Sequence, residues 1–221
     1  MRFLRIKMAL QLIKSFGEET RLGIWKIDET NEDLLSRLQL SEIEKIYYQT
    51  LIHQKRNSHW LGSRVLLRFM MKTNDFIWLD KDEWNKPVLK NFPEHVSISH
   101  SNDMAAVMLS KSYPVGVDIE KIRTKVLLIK NRFLSSQELD FINKFAEINH
   151  LYACWCIKEA VYKWYGKKGV SFRDDIFIFP FILKEEGFAE FKINRDDFGE
   201  TRMANYFIFQ DYMIAWVESR L

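Results

Sequence analysis

Short polar turns between strand-forming runs limit the folds that this chain can adopt. Residues 94–110 are predicted as two strands joined at Ser101-Asn102-Asp103, and the last strands meet through Gln210-Asp211. Turns this short connect antiparallel strands, because a parallel connection needs a dozen or more residues. Helical patterns at residues 31–52, 55–72 and 148–165 are mixed with the strands without strict alternation. The sequence therefore predicts an α+β fold with antiparallel sheets rather than a doubly wound one.

Length and charge bound the class of protein. The chain has 221 residues, of which 47% are apolar, so it can bury the core of one large domain or two small ones. A Ser-Tyr-Pro-Val stretch near residues 112–115 suggests a division into halves, 1–113 and 114–221. The net charge of +3 suits an anionic ligand or an acidic partner. Nucleic acid is not expected, since the basic residues lie largely in one predicted helix.

Location is predicted from the cysteines and the apolar runs. Cys154 and Cys156 are two residues apart in a predicted helix and point to different faces, so a disulfide between them is not expected. The uncharged run from Met8 to Ile13 is too short for a signal-peptide core, and no run is long enough for a membrane span. We therefore expect a reduced, cytoplasmic protein that does not enter the membrane. Met8 is an alternative start to Met1.

The stretch VGVDIE, residues 115–120, places two carboxylates on an apolar strand. Asp118 and Glu120 share one face with side-chain bases roughly 6.6 Å apart, while Val117 and Ile119 are expected to point into the core. At that separation the two charges repel by roughly 3 kcal/mol, so a cation between them is favoured, and Mg²⁺ prefers such ligands. The alternative is a solvent-facing strand on which both acids pair with nearby basic residues.

A predicted helix carries a second charged pattern, WCIKEAVYK, residues 155–163. Helical spacing places Trp155, Glu159 and Lys163 along one stripe, with Lys158 beside it. A third carboxylate between two lysines suits a site that holds both a metal ion and phosphate oxygens. The alternative is an ordinary surface ion pair between Glu159 and Lys163.

Several polar and basic residues upstream are candidates for binding phosphate. Ser99 and His100 lie at a strand end and can donate hydrogen bonds, although the same residues also suit a structural turn. Lys86 is fixed by the following Pro87. Arg56 and Arg64 belong to a basic helix whose charges are either phosphate ligands or the solvated face of an amphipathic helix.

Taken together, these elements resemble the 4′-phosphopantetheinyl transferases of the surfactin-synthetase type. The resemblance covers residues from about 55 to 166 and depends on the order of the motifs: WLGSRVLLR at 60–68, KPVL at 86–89, SHS at 99–101, GVDIE at 116–120, RFLSSQE at 132–138 and WCIKEAVYK at 155–163. Two positions depart from the family pattern, because Ser63 and Asn85 stand where glycines are usual. Both departures affect the predicted nucleotide contacts and leave the acidic residues unchanged.

The resemblance implies a pseudo-twofold fold of two similar α+β halves. It also implies Mg²⁺-dependent transfer of the phosphopantetheine arm from coenzyme A to a serine of an apo acyl or peptidyl carrier protein, with release of adenosine 3′,5′-bisphosphate. Asp118, Glu120 and Glu159 would hold Mg²⁺, and Glu159 would also take the serine proton. Lys158 and Lys163 would contact phosphates, as would Ser99 and His100. Lys86 and Arg56, with Arg64, would bind the nucleotide end.

Two other functions remain open on the sequence alone. One is a catalytically silent module that binds carrier proteins or nucleotides, and the other is a Mg²⁺-dependent phosphohydrolase. By analogy with the family, the protein is expected to be a monomer. The carrier is expected to dock on residues 121–145, where Phe133, Leu134 and Leu139 are either an exposed apolar patch or part of the core.

Overall fold

The computed structural model describes residues 9–195 and 201–218, so Met1 and Met8 lie outside the described residues. The chain separates into two compact units, Met1–Ser112 and Tyr113–Leu221. Each unit has its own hydrophobic core. In the described part of the chain, no helix has the length and apolar character needed to cross a membrane.

The N-terminal unit combines antiparallel strands with helices. Its elements are β1 Leu10–Phe16, β2 Thr20–Lys26, α1 Asn31–Leu35, α2 Glu42–Thr50, α3 Gln54–Met71, β3 Leu79–Lys81, β4 Pro87–Leu89, β5 His95–Ser101 and β6 Met104–Ser110. Strands β1, β2, β6 and β5 pair in that order to form one sheet, and β3 pairs with β4 as a separate hairpin. Helix α3 packs on this sheet, with Leu61, Leu66 and Met70 fully or nearly fully buried beneath it.

The C-terminal unit repeats the combination of a long helix and an antiparallel sheet. Its elements are β7 Val115–Lys121, α4 Val126–Phe133, α5 Ser136–Asp140, a 3₁₀ turn Lys144–Ala146, α6 Glu147–Tyr165, β8 Ile176–Ile178, β9 Glu186–Ile193, β10 Arg202–Phe209 and β11 Tyr212–Glu218. The strand order is β7-β11-β10-β9-β8, and every pairing is antiparallel. The predicted α+β class with antiparallel sheets is confirmed.

Gly116 brings α6 unusually close to β7. A Cβ atom at this position would lie 2.0 Å from the Ala160 carbonyl oxygen and 2.5 Å from the Trp164 nitrogen. Only glycine leaves room for this contact. Because Asp118 and Glu120 lie on the same face of the strand as Gly116, the contact brings both carboxylates to the helix. The face of β7 that carries Asp118 and Glu120 was expected to point away from the core, and it is covered by α6.

Local signals fixed several element boundaries correctly. Ser41 caps α2 and Ser135 caps α5, each in a reciprocal capping box with the glutamate three residues later. Ile43, Ile46 and Tyr47 recur at helical spacing, yet these side chains are 79%, 63% and 39% exposed and α2 contributes no buried residue. Amphipathic spacing identified the helix but not the direction of its apolar face.

Candidate active site

Asp118 is buried beside Lys163 in the C-terminal unit. Its side chain is on β7 and the residue is 3% exposed. One carboxylate oxygen accepts a hydrogen bond from Lys163 Nζ at 2.8 Å, and the same ammonium donates to the Val117 carbonyl at 3.1 Å. A solvent-facing Asp118 is therefore excluded. A lysine from α6 thus pairs with this buried acid of β7.

Glu159 belongs to the same group of charges. Burial is the largest cause that raises the pKa of this partly buried carboxyl, Asp118 and Glu120 also raise it, and Lys163 opposes the shift, so that the pKa is about 7. Asp118 and Glu120 therefore act on Glu159 electrostatically, and the assignment of the three carboxylates to one site stays a prediction. Lys163 pairs with Asp118 and acts on Glu159, and a divalent cation would offset further negative charge at these carboxylates.

The donor set fits Mg²⁺ by charge and by ligand type, since oxygen ligands are those that Mg²⁺ prefers. The fit is incomplete in geometry. Among the described residues, no three acidic, histidine or cysteine side chains already stand in positions from which they could hold a metal ion. Lys163 lies against Asp118 where a cation would approach. A bound metal ion would therefore have to displace or re-aim this ammonium.

Lys158 does not occupy the predicted phosphate site. The residue is completely buried, and its ammonium donates to Glu138 at 2.9 Å, to the Phe172 carbonyl at 2.7 Å and to the Ile176 carbonyl at 2.6 Å. An ammonium has three donors, and these bonds use all of them. The predicted contact between Lys158 and a phosphate is contradicted by this burial. Lys158 is a structural residue of the core.

Glu138 is the partner that sequence reasoning did not single out. Its carboxylate accepts from the Ser135 nitrogen at 2.8 Å, from the Ile178 nitrogen at 3.0 Å and from Lys158. It therefore joins the start of α5, the middle of α6 and strand β8. The available signal was the capping box, in which Glu138 stands three residues after Ser135.

The N-terminal unit contains a cavity of about 610 Å³, a volume typical of small-molecule sites. It brings together three of the predicted ligands of the nucleotide end or of phosphate: Arg56, Arg64 and His100. Pro87 of the Lys-Pro turn also lines it. Arg56 is exposed, whereas Arg64 stacks on the Trp60 ring at 3.6 Å and donates from Nε to Glu44 at 3.2 Å.

Strand β5 places its two predicted ligands in different environments. Ser99 is 7% exposed, and His100 is exposed on the opposite face. The His100 ring stacks on His59 with ring centroids 4.4 Å apart, and His59 Nε2 lies 2.6 Å from the Asn102 carbonyl oxygen. The stack fixes the orientation of His100 at the cavity wall.

Lys86 is partly buried in the hairpin between β3 and β4. Burial lowers the pKa of its ammonium to about 8, and Asp82 partly opposes the shift. The preceding Asn85 has a φ of 69°, a left-handed conformation in which asparagine is among the best substitutes for glycine. Asn85 can therefore adopt the left-handed backbone conformation at the position where the family pattern has glycine. Ser63 is also accommodated, since its hydroxyl donates to the Trp60 carbonyl at 3.1 Å.

Comparison with known proteins places the C-terminal unit in one family. The family model of the 4′-phosphopantetheinyl transferase superfamily matches residues 114–217, which include Asp118, Glu120, Glu159 and Lys163. The match covers β7 through most of β11 and therefore contains the whole acidic group.

Relatives extend this match beyond the C-terminal unit. The chain is similar to 4′-phosphopantetheinyl transferase Sfp of Bacillus subtilis strain 168, with 30% identity over 67% of this chain and 69% of the relative. It is similar to 4′-phosphopantetheinyl transferase ffp of Bacillus subtilis, with 36% identity over the same shares. A third relative, 4′-phosphopantetheinyl transferase gsp of Aneurinibacillus migulanus, is 29% identical over 48% of this chain and 47% of its own length. The resemblance seen in the sequence is confirmed, and the chain belongs to the 4′-phosphopantetheinyl transferase superfamily.

Proposed function

We propose that this chain transfers the 4′-phosphopantetheine arm from coenzyme A to a serine of an apo carrier protein in a Mg²⁺-dependent reaction. Membership of the family makes it a transferase that uses coenzyme A and a carrier protein. The carrier is of the acyl or peptidyl class. The observation that carries the proposal is the buried contact of Asp118 and Lys163 beside Glu159, whose pKa is raised to about 7.

The metal ion would be held by Asp118, Glu120 and Glu159. When bound, Mg²⁺ supplies positive charge that offsets the charge developing on the diphosphate of coenzyme A. The pKa of Glu159, which burial raises most and Asp118 and Glu120 also raise, supports this assignment, because a bound cation would relieve the repulsion among these carboxylates. Lys163 supports it as well, since its position against Asp118 marks where positive charge is favoured.

Glu159 is the proposed base. The serine hydroxyl oxygen attacks the phosphorus that carries pantetheine, a new P–O bond forms, and the bond to the bridging oxygen breaks. Adenosine 3′,5′-bisphosphate leaves with the electron pair, and the serine proton moves to Glu159 directly or through a water. A carboxylate with a pKa near 7 is suited to accept a proton at neutral pH. Lys163, which pairs with Asp118 at 2.8 Å, is proposed to contact the departing phosphate.

The cavity of the N-terminal unit is the proposed site of the nucleotide end. Arg56 and His100 offer donors at its wall, and Trp60 offers an aromatic face. Ser99 and Lys86, on the adjoining strand and turn, are proposed to contribute to the phosphate contacts. Lys158 is left out of this set because it is buried in the C-terminal core.

The proposed carrier-docking surface lies on and before α4. Of the two alternatives for Phe133, Leu134 and Leu139, the core is the one observed, because Phe133 and Leu134 are 1% and 0% exposed and Leu139 packs against the core. Leu128, in contrast, is 86% exposed. It is accompanied by exposed Arg123, Lys125 and Arg132, whose charges suit an acidic partner.

We further propose that the protein is cytoplasmic and monomeric, and that its two units are similar halves related by a pseudo-twofold axis. Similar halves are supported by the secondary structure of the two units, since in each unit a long helix packs on an antiparallel sheet. Size-exclusion chromatography with light scattering tests the monomer directly. A stable dimer would contradict it.

The function is tested by incubating the protein with coenzyme A, Mg²⁺ and an apo carrier protein, and by measuring the added phosphopantetheine mass. We expect transfer that EDTA abolishes and that excess Mg²⁺ restores. Asp118→Ala should reduce the rate by about a hundredfold or more, because it removes one of the carboxylates proposed to hold Mg²⁺. Asp140→Asn, on the exposed side of α5, is the control and should leave the rate unchanged. Full activity of Asp118→Ala would overturn the metal assignment.

The two alternatives give different products in the same assay. A phosphohydrolase would consume coenzyme A with no carrier present and leave the carrier unlabelled. A silent module would bind the carrier without forming any product.

A further inference from the structure

The cavity of the N-terminal unit has a negative charge built into its wall. Glu44 lines this cavity, and one of its carboxylate oxygens accepts from Arg64 Nε at 3.2 Å. Its other oxygen accepts from the Ser41 nitrogen at 3.1 Å and from the Ser41 hydroxyl at 3.3 Å. Both oxygens are therefore engaged. Glu44 cannot leave the cavity wall without breaking the capping box of α2.

Arg64 is held in a salt bridge with the Glu44 carboxylate. Its guanidinium lies 3.6 Å from the Trp60 ring, and the Arg64 and Glu44 side chains are only 16% and 13% exposed. A guanidinium that is stacked and paired in this way is pre-organised, so little drives it to exchange its carboxylate for another anion. A phosphate that approached Arg64 would meet Glu44 at the same place and be repelled by it. The pair therefore gives this part of the wall almost no net charge.

The remaining charges of the wall are also mixed in sign. Arg56 and Lys81 are cationic, and Asp80 is anionic. Arg56 and Lys81 are exposed, so salt screens their attraction for a phosphate more than it would screen that of a buried cation. The partly buried cation that lines this cavity, Arg64, is the one that Glu44 neutralises.

We propose that Glu44 is a specificity-determining residue that makes this enzyme nearly indifferent to the 3′-phosphate of coenzyme A. The inference rests on the proposed function, because it takes the nucleotide end of the donor to lie in this cavity. Coenzyme A and 3′-dephospho-coenzyme A differ only in that phosphate. Both are therefore phosphopantetheine donors for the wild-type protein, with kcat/KM values within about tenfold of each other, which is about 1.4 kcal/mol.

The test compares Glu44→Gln with a matched control on the same helix. Glutamine serves at this position of a capping box, so the substitution removes the charge and keeps the cap. We expect Glu44→Gln to lower KM for coenzyme A by about five- to tenfold through a released Arg64, and to leave KM for the dephospho donor unchanged. Glu42→Gln removes the same charge from an 83% exposed side chain that pairs with Lys45, and it should change neither value.

Two results would overturn the inference. One is a wild-type preference for coenzyme A over the dephospho donor of a hundredfold or more. The other is a Glu44→Gln variant in which the two donors improve or worsen equally. The wild-type comparison does not depend on the folding of any variant.

A binding measurement separates this inference from the proposed function. Calorimetric titration with adenosine 3′,5′-bisphosphate and with adenosine 5′-monophosphate reports on the cavity without any transfer. Similar affinities in the wild type, with a selective gain for the bisphosphate in Glu44→Gln, would support the inference even if no carrier were labelled. Labelling of the carrier by a protein whose bisphosphate affinity does not respond to Glu44→Gln would leave the function standing and remove the inference.

Discussion

Removal of the Lys158 ammonium should destabilise the C-terminal unit far more than removal of a surface lysine. In Lys158→Met, Glu138 loses its cation, and the Phe172 and Ile176 carbonyls lose their donor. Breaking a fully buried ion pair by removing one partner costs about 3–5 kcal/mol, because the other charge stays in the core. Each carbonyl left without a donor adds about 1 kcal/mol or more if no water reaches it. We expect a total of about 5–7 kcal/mol.

A second substitution measures how much of this loss comes from the uncompensated charge of Glu138. Lys158→Met combined with Glu138→Gln removes the uncompensated carboxylate, while glutamine can still cap α5. The double variant should therefore recover about 1–3 kcal/mol relative to Lys158→Met. Lys130→Met is the control, since Lys130 pairs with Glu147 at 2.7 Å on a solvent-exposed surface and should matter little.

Urea unfolding followed by tryptophan fluorescence measures these free energies of unfolding. Steady-state kinetics on the folded fraction measure KM for coenzyme A. A phosphate-binding lysine would behave differently: its loss would raise KM for coenzyme A and leave the unfolding free energy nearly unchanged. That outcome, with Lys158→Met as stable as Lys130→Met, would refute the structural role assigned to Lys158.

Three further predictions concern the same unit. Gly116→Ala should abolish transfer and lower the free energy of unfolding by about 2–4 kcal/mol, because the added Cβ would overlap the Ala160 carbonyl and push α6 away from β7. Thermal unfolding measures the loss of stability, and carrier labelling measures the loss of transfer. An active variant would contradict this prediction. His150 is buried and burial lowers its pKa to about 4, so the unfolded state binds more protons between pH 6.5 and 4 and the free energy of unfolding should fall by about 2–3 kcal/mol over that range. His150→Phe should remove this slope in urea titrations at pH 7 and 5, whereas exposed His53→Asn should keep it. Burial raises the pKa of the Cys154 and Cys156 thiols, so neither should react with a thiol reagent until the protein is unfolded, and rapid labelling of the folded protein would count against this.

The sequence predicted the strand that carries Asp118 and the helix that carries Glu159 because both depend on local information. Alternation of apolar residues marks β7, and serine caps and helical spacing mark the helices. The predicted proximity of the three acids came from the family pattern, not from spacing. The contact of Lys163 with Asp118 brings α6 to β7 at Asp118, and the joint site of the three acids stays a prediction.

The direction of each charged side chain was less predictable. Lys158 and Lys163 look alike in the sequence, yet one is completely buried and the other touches Asp118. The difference depends on Glu138, which lies twenty residues earlier and reaches Lys158 only after α5 has packed on α6. In the same way, Ile43 reads as a core residue until the fold leaves α2 at the surface. Tertiary packing decides both cases, and a periodic pattern contains no information about it.

The adjacent residues Lys158 and Glu159 connect the core to the chemistry. Successive residues on a helix are turned by about 100°, so when one points into the core the next points to its side. The bonds from Lys158 to α5, to residue 172 and to β8 fix the rotation of α6 about its own axis. Gly116 fixes its distance from β7. With rotation and distance both set, Glu159 can face Asp118 only in one way. Lys158 therefore positions the carboxylate of Glu159, which follows it in the chain. Loss of Lys158 should reduce the rate of transfer by misplacing Glu159 rather than by weakening the binding of coenzyme A.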